Sequence, residues 1–212
     1  AVGGDTSVMI LAGGAFPVSF KINATNVVWT LTAGTAYNHG ENDDFTTDFI
    51  GQGNSTITIS DYATGDINIW LDGSDGKFYN GVKVLDASNA KTFSSLVGAN
   101  GNEKIIAGEW NSSLWGGFGG NDTLIGGAEN DEFFYSFGNG NDIISNATED
   151  DVVNVFNTDL SQITKVSATS SQIKISFSDY GSLIVNSAEN VGFKYQGVIY
   201  QLDRQNISWS EK

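Results

Sequence analysis

The sequence predicts an all-β chain in which a parallel β-solenoid is flanked by additional β-strands. Helical periodicity is almost absent, and short segments rich in β-branched and aromatic residues alternate with turn residues. The 212 residues include 26 glycines and a single proline, so Gly, Asn and Asp must form the turns. A repeat of nine to eleven residues runs through the middle of the chain.

The strands on both flanks are predicted from short apolar segments bounded by turn residues. Residues 55–60 (STITIS) and 172–177 (QIKISF) alternate strictly between apolar and polar side chains, as half-buried strands do. The other predicted segments are SFKI (19–22), NVVWTLT (26–32), DINIWL (66–71), GVKVLDA (81–87), SLIV (182–185) and GVIYQL (197–202).

Composition divides the chain into three regions without a Pro-rich or Ser-rich linker between them. Residues 1–95 form an irregular β region continuous with the solenoid, 96–145 form the repeats, and 146–212 form a C-terminal β cap. We therefore expect one continuous stack rather than independent domains.

Five frames of the repeat share an Asn, then in most cases a short polar or acidic residue, and an apolar residue after a spacer. They are NEKIIAG, NSSLWGG, NDTLIGG, NDEFFYS and NDIISNA, starting at Asn102, Asn111, Asn121, Asn130 and Asn141. A unit this short cannot bury its apolar side alone, whereas stacked units share one core. The residues expected to point inward are Ile105, Leu114, Leu124, Phe133 and Ile144. A Gly/Asn-rich β-meander with fortuitous spacing is the alternative.

The turns of such a solenoid bring main-chain carbonyls and the acid of each frame to one place. Hard oxygen ligands of this kind suit Ca²⁺. The frames resemble the RTX (haemolysin-type) nonapeptide G-G-x-G-x-D-x-U-x, a calcium-binding β-roll repeat. The resemblance is carried by GFGGNDTLI (117–125), GGAENDEFF (126–134) and FGNGNDIIS (137–145), each of which departs from the pattern at one glycine.

The resemblance implies that two frames make one coil, so that acids two frames apart stack. One stack then contains Glu103, Asp122 and Asp142, and the other contains Ser112 and Asp131. Asp122 is expected to face two sites, with its best site shared with Asp142. The metal ligands implied in this way, for two or three calcium ions, are Asp122, Asp142, Asp131 and Glu103, with Gly119, Gly120 and Asn139 as loop ligands.

Charge and composition limit the function classes. The net charge of −15 provides nothing to neutralise phosphates, which excludes general nucleic-acid binding, and it favours partners that are cations. Cysteine is absent, so there is no disulfide or thiolate metal site, and no apolar run is long enough to span a membrane. The resemblance implies a secreted or surface-exposed bacterial protein that folds on meeting extracellular calcium.

Other candidate sites are weaker. DGSDGK (72–77) and ENDD (41–44) are candidates for further calcium loops, but a β-turn is favoured for the first, which lacks an EF-hand glutamate. His39 is the only histidine, and no nucleophile elbow or phosphate loop is present. The five tryptophans are expected to fill the core and the ends, with a sugar-binding face as the alternative.

We therefore expect a calcium-binding structural or adhesive module, not an enzyme, with self-association or cell-surface glycans as further interactions. Two other functions stay open. One is a self-assembling surface-layer or filament subunit, because solenoid ends expose strand edges. The other is the C-terminal secretion or folding domain of an extracellular hydrolase.

Overall fold

The computed structural model describes residues 6–10, 27–31, 37–39, 55–59, 67–71, 82–187 and 189–212. The first thirteen strands are β1 (Thr6–Ile10), β2 (Val27–Leu31), β3 (Tyr37–His39), β4 (Ser55–Ile59), β5 (Ile67–Trp70), β6 (Val82–Asp86), β7 (Ser94–Val97), β8 (Lys104–Ile106), β9 (Ser112–Trp115), β10 (Thr123–Ile125), β11 (Glu132–Ser136), β12 (Asn141–Ser145) and β13 (Val152–Phe156). A 3₁₀ turn (Leu160–Gln162) precedes β14 (Ile163–Ala168), β15 (Gln172–Phe177), β16 (Ser182–Asn186), β17 (Gly192–Tyr195), β18 (Val198–Asp203) and β19 (Ser208–Glu211).

Successive strands of the central chain alternate between two sheets. One sheet has the order β1-β2-β4-β6-β8-β10-β12-β16-β15-β14, and the other has the order β19-β18-β17-β13-β11-β9-β7-β5-β3. From β2 to β13 every neighbouring pair within a sheet is parallel, so each coil contributes one strand to each sheet. The predicted all-β fold with a parallel roll is confirmed.

Parallel pairing extends beyond the repeats in both directions. Upstream, β1 pairs with β2, and downstream β13 pairs with β17, although neither region carries the Gly-Asn-Asp frame. Downstream, the paired residues Val153 and Phe193 are both buried, so the core continues past the repeats and holds the register. The segment SFKI (19–22) and the loops at 41–44 and 72–77 lie outside the described residues.

The core is a file of apolar side chains between the two sheets. All five residues predicted to point inward are buried, each with at most 1 % of its surface exposed, and they pair in register across coils: Ile105 with Leu124, Leu124 with Ile144, and Leu114 with Phe133. Tyr135 is also fully buried and stacks on Phe177 with ring centroids 5.0 Å apart. Each coil is too thin to exclude water alone, so its stability depends on the neighbouring coils.

Antiparallel hairpins close the C-terminal end of the roll. In one sheet β16 pairs with β12 in parallel, while β15 and β14 follow it in antiparallel order. In the other sheet β17, β18 and β19 are antiparallel. Parallel coiling therefore stops at β16 and β17, and the hairpins cover the last coil.

Two adjacent glycines in the turn before β10 show how tightly successive coils stack. Gly119 and Gly120 both have positive φ, at +90° and +98°. A Cβ added to Gly120 would lie 1.7 Å from the carbonyl oxygen of Gly101 in the preceding coil, whereas a Cβ on Gly119 would meet nothing within 4 Å. Only Gly120 is required by both backbone conformation and space.

We expect Gly120→Ala to destabilise the protein more than Gly119→Ala. Both substitutions carry the strain of a positive φ, about 1–2 kcal/mol, but only the first also pushes two coils apart. Thermal unfolding of the two variants in the same buffer measures the difference. Equal melting temperatures would contradict the close stacking of these turns.

Candidate metal centre

Two ladders of inward-facing polar side chains run along the roll, where a ladder is a set of side chains stacked at the same position of successive coils. Each of these side chains belongs to the residue just before a strand or to one of the first two residues of the strand. The first ladder is Glu103, Asp122 and Asp142, and the second ladder is Ser112, Asp131 and Asp151. Strand register stacks the members of each ladder, since Lys104 pairs with Thr123, Thr123 with Ile143, Ser113 with Glu132, and Glu132 with Val152. All six side chains are buried, none more than 3 % exposed.

Main-chain hydrogen bonds join the members of a ladder from coil to coil. The N–H of Glu103 donates to Asp122 Oδ1 at 2.7 Å, and the N–H of Asp122 donates to Asp142 Oδ1 at 2.9 Å. In the second ladder the N–H of Ser112 donates to Asp131 Oδ1 at 2.8 Å, and that of Asp131 to Asp151 Oδ1 at 2.7 Å. One oxygen of every aspartate is thus satisfied by the preceding coil.

The two ladders differ in the hydrogen bonding of the second carboxylate oxygen, Oδ2, of each aspartate. Asp131 Oδ2 accepts from the N–H of Gly127 at 2.6 Å, and Asp151 Oδ2 accepts from the N–H of Thr148 at 2.7 Å. By contrast, Asp122 Oδ2 and Asp142 Oδ2 are buried without any hydrogen-bond partner. A buried, unpaired carboxylate oxygen costs substantial free energy unless the group is neutralised by a proton or a cation.

Glu103 stands at the head of the first ladder with both oxygens occupied. Its Oε1 accepts from Lys83 Nζ at 2.7 Å, and its Oε2 accepts from the N–H of Ala99 at 3.1 Å. At the other end Asp142 is in register with the apolar Leu183, which ends the run of acids. The unpaired carboxylate oxygens of this ladder therefore belong to Asp122 and Asp142 alone.

The predicted loop ligands lie in the two turns that precede these aspartates. The Gly120 carbonyl oxygen points toward Gly140 of the next coil, where an added Cβ would lie 1.7 Å from it, and Gly119 has open space beside it. The Asn139 side chain bridges two turns: its Nδ2 donates to the Gly117 carbonyl at 2.7 Å, and its Oδ1 accepts from Ser136 Oγ at 2.6 Å. Both polar atoms of the Asn139 side chain thus hold turns together in this structure.

Burial raises the pKa of the ladder aspartates. It raises the pKa of Asp122 to about 8, with the charges of Asp142 and Glu103 adding to the effect, and it raises the pKa of Asp142 to about 7. The pKa of Asp131 is raised to about 6, first by burial and also by the charge of Asp151. Without a cation, the first ladder resists carrying two negative charges at neutral pH.

The stack predicted to contain only Ser112 and Asp131 is longer than expected, because Asp151 continues it. Asp131 is therefore flanked on both sides, as Asp122 is, and all four carboxylate oxygens of Asp131 and Asp151 have partners. The sequence carried a signal: Asp151 precedes Val152-Val153 as Asp122 precedes Thr123-Leu124, but no glycine accompanies it. The sequence also did not predict that Lys83 belongs to the first ladder. Strand register places Lys83 at the position of the frame's acid, one coil before Glu103.

Gly116 is a further residue that sequence reasoning did not single out. A Cβ built on it would lie 2.1 Å from Asp122 Oδ2, so the unpaired oxygen rests directly over this glycine. A larger residue would displace the carboxylate from its place in the turn. The double glycine Gly116-Gly117 in the sequence was the available signal.

The first ladder offers a cation oxygen ligands only, in turns built from Gly and Asn. Nowhere in the described residues do three His, Cys, Asp or Glu side chains converge on a possible metal position. Ca²⁺ takes six to eight oxygen ligands and accepts main-chain carbonyls and water, so two carboxylates can serve as its charged ligands. The arrangement fits a calcium ion better than a transition metal that prefers nitrogen or sulfur.

Comparison with known proteins adds no assignment. No family model matches the chain, and no curated protein matches it. In the part of the chain that the structure describes, no helix is long and apolar enough to cross a membrane.

We expect the metal-free protein to lose stability as the pH rises from about 6 to about 8. The folded pKa values of Asp122, Asp142 and Asp131 lie above the ordinary value of 3.8, so the folded state binds protons more tightly than the unfolded chain. Their contribution is complete below about pH 4, declines progressively above it, and is fully lost once the pH exceeds the raised pKa values. Melting temperatures in chelator across this range measure the effect.

The control is the double variant Asp122→Asn/Asp142→Asn, in which most of the decline should disappear. A wild-type melting temperature that is flat or rising between about pH 6 and 8 in chelator would contradict the raised pKa values.

Proposed function

We propose that this chain is a calcium-binding structural module whose ion lies in the first ladder, between the turns of Asp122 and Asp142. The observation that carries the proposal is the pair of carboxylate oxygens, Asp122 Oδ2 and Asp142 Oδ2, that are buried in consecutive coils without a hydrogen-bond partner. Every other carboxylate oxygen in the two ladders accepts a hydrogen bond. A divalent ion supplies the charge that these two oxygens lack.

Calcium binding is then coupled to folding and to proton release. The turns exist only in the coiled state, so the binding free energy adds to the stability of that state. At neutral pH the ion displaces protons from Asp122 and Asp142, whose pKa values burial raises to about 8 and about 7. At about 100 times Kd the ion stabilises the fold by about 2.7 kcal/mol, a rise in Tm of roughly 5–11 °C for a chain of this size.

The burial of the acids supports a structural role over a catalytic one. Asp122 and Asp142 are each 1 % exposed and face the interior of the roll, where a substrate cannot reach them. Catalytic acids must contact a reacting group within hydrogen-bond distance. We therefore assign these two acids a structural role rather than a catalytic one.

Secretion and an adhesive role follow from the RTX-like frames and from the charge. With a net charge of −15 the unfolded chain repels itself where calcium is scarce, and millimolar extracellular calcium favours folding. Exposed aromatic side chains on the turns, Trp110 (56 %), Phe118 (58 %) and Tyr180 (94 %), offer contact surface for a partner such as a glycan. These side chains support an adhesive surface on a bacterial exterior.

Self-assembly by end-to-end stacking is less well supported at the C-terminal end. The outermost strand of one sheet there, β14, carries exposed Thr164 and Lys165, and the outermost strand of the other, β19, ends with the exposed Glu211. Charged residues on short edge strands hinder pairing with another chain.

The sharpest test compares Asp122→Asn with Asp131→Asn at about pH 8. Asp122→Asn removes a calcium ligand but also a buried charge without a partner, so Tm should fall in calcium and rise or stay equal in chelator. Asp131→Asn places an amide N–H₂ against the N–H donors of Ser112 or Gly127, so Tm should fall by a similar amount in both conditions.

Thermal unfolding of wild type and both variants, with and without calcium, gives the four differences needed. Calorimetric titration reports whether calcium binding weakens in Asp122→Asn alone. The proposal is wrong if chelation leaves the wild-type melting temperature and far-UV spectrum unchanged, or if both variants lose equal amounts in calcium and in chelator.

A further inference from the structure

Lys83 occupies a distinctive place at the head of the first ladder. It lies in β6, one coil before Glu103, because Val84 pairs with Lys104. Its ammonium reaches the turn of the following coil, where a Cβ added to Gly101 would lie 2.3 Å from Nζ and 2.8 Å from Glu103 Oε1. The Lys83 side chain is 27 % exposed, whereas that of Glu103 is fully buried.

The Lys83–Glu103 contact is the counter-charge of a buried carboxylate. Without Lys83, the Glu103 side chain would be an unpaired charge in the interior, which is strongly unfavourable. Gly98 and Gly116 follow the paired residues Val97 and Trp115, so they occupy equivalent positions in successive coils. Glu103 Oε2 lies near Gly98, and Asp122 Oδ2 lies near Gly116. The two turns are therefore comparable, and they differ in that the carboxylate of the first is already satisfied by Lys83 and the N–H of Ala99.

The charges of the ladder then balance with a single ion. Lys83 and Glu103 sum to zero, and one divalent cation neutralises Asp122 and Asp142. Beyond Asp142, the in-register residue is Leu183, which is 1 % exposed and offers no ligand. A second divalent ion in this ladder would leave excess positive charge inside the roll.

We propose that the Lys83 ammonium is a built-in counter-ion that closes the head of the first ladder and limits it to one divalent cation. This inference rests on the calcium site between Asp122 and Asp142. It differs from the two or three ions that the repeats imply, and it makes Glu103 a partner of Lys83 rather than a metal ligand. In the turn of Glu103, this lysine provides the positive charge that calcium provides in the turns of Asp122 and Asp142.

The experiment is a calcium titration of Lys83→Met, with Lys104→Met as the matched control. Lys104 is the residue next to Glu103 but is exposed, so its loss changes the net charge equally without touching the ladder. We expect wild type and Lys104→Met to bind one ion in the high-affinity class. Lys83→Met should bind one additional ion, more weakly than the first, because Glu103 then has a negative charge without its lysine. The Tm of this variant should rise more on calcium addition than that of either other protein.

A second variant guards against a Lys83→Met protein that does not fold in chelator. Lys83→Met/Glu103→Gln removes the pair as a neutral unit, so it should bind one ion, as wild type does. The inference is overturned if Lys83→Met binds one ion and gains no more Tm than Lys104→Met, or if the double variant keeps the additional ion. A wild-type protein that binds no calcium overturns it as well, through the site on which it rests.

Discussion

In-register stacking of coils about 20 residues apart is the constraint on which the rest of the molecule depends. Parallel pairing places like positions of the chain over one another, so an inward isoleucine meets an inward leucine and an inward aspartate meets another aspartate. The first consequence is favourable, since it builds one apolar core from units that have none. The second is unfavourable, since it lines up carboxylates in a medium that opposes charge.

The structure contains two devices that offset this second consequence. In the second ladder, the N–H groups of the turns at Gly127 and Thr148 satisfy the aspartates. At Glu103, a lysine from the previous coil provides the counter-charge. At Asp122 and Asp142 neither device is present, and it is this difference between otherwise similar turns, rather than the number of acids, that points to a cation.

The same physics links stability to the surroundings. Under the proposed calcium binding, the roll is expected to be more stable in acid or in calcium than in neutral, calcium-poor water. The C-terminal hairpins, which lie beyond the last ladder aspartates, add antiparallel pairing that needs no ion.

Much of the fold could be predicted from the sequence, because alternation within strands and the spacing of the frames are local properties. They predicted the all-β class and the inward side chains such as Leu124 and Phe133, whereas the stacking of Asp122 on Asp142 was implied by the resemblance to the RTX repeat. The partner of each carboxylate oxygen is not local. The second oxygen of a carboxylate can meet an N–H group, a lysine or no partner. The outcome depends on backbone geometry, as at Gly116 for Asp122, and on a residue one coil away, as at Lys83 for Glu103. Only the tertiary structure could therefore decide that Asp151 extends the second ladder, that Glu103 is already paired, and that Asp122 and Asp142 are left with unpaired oxygens.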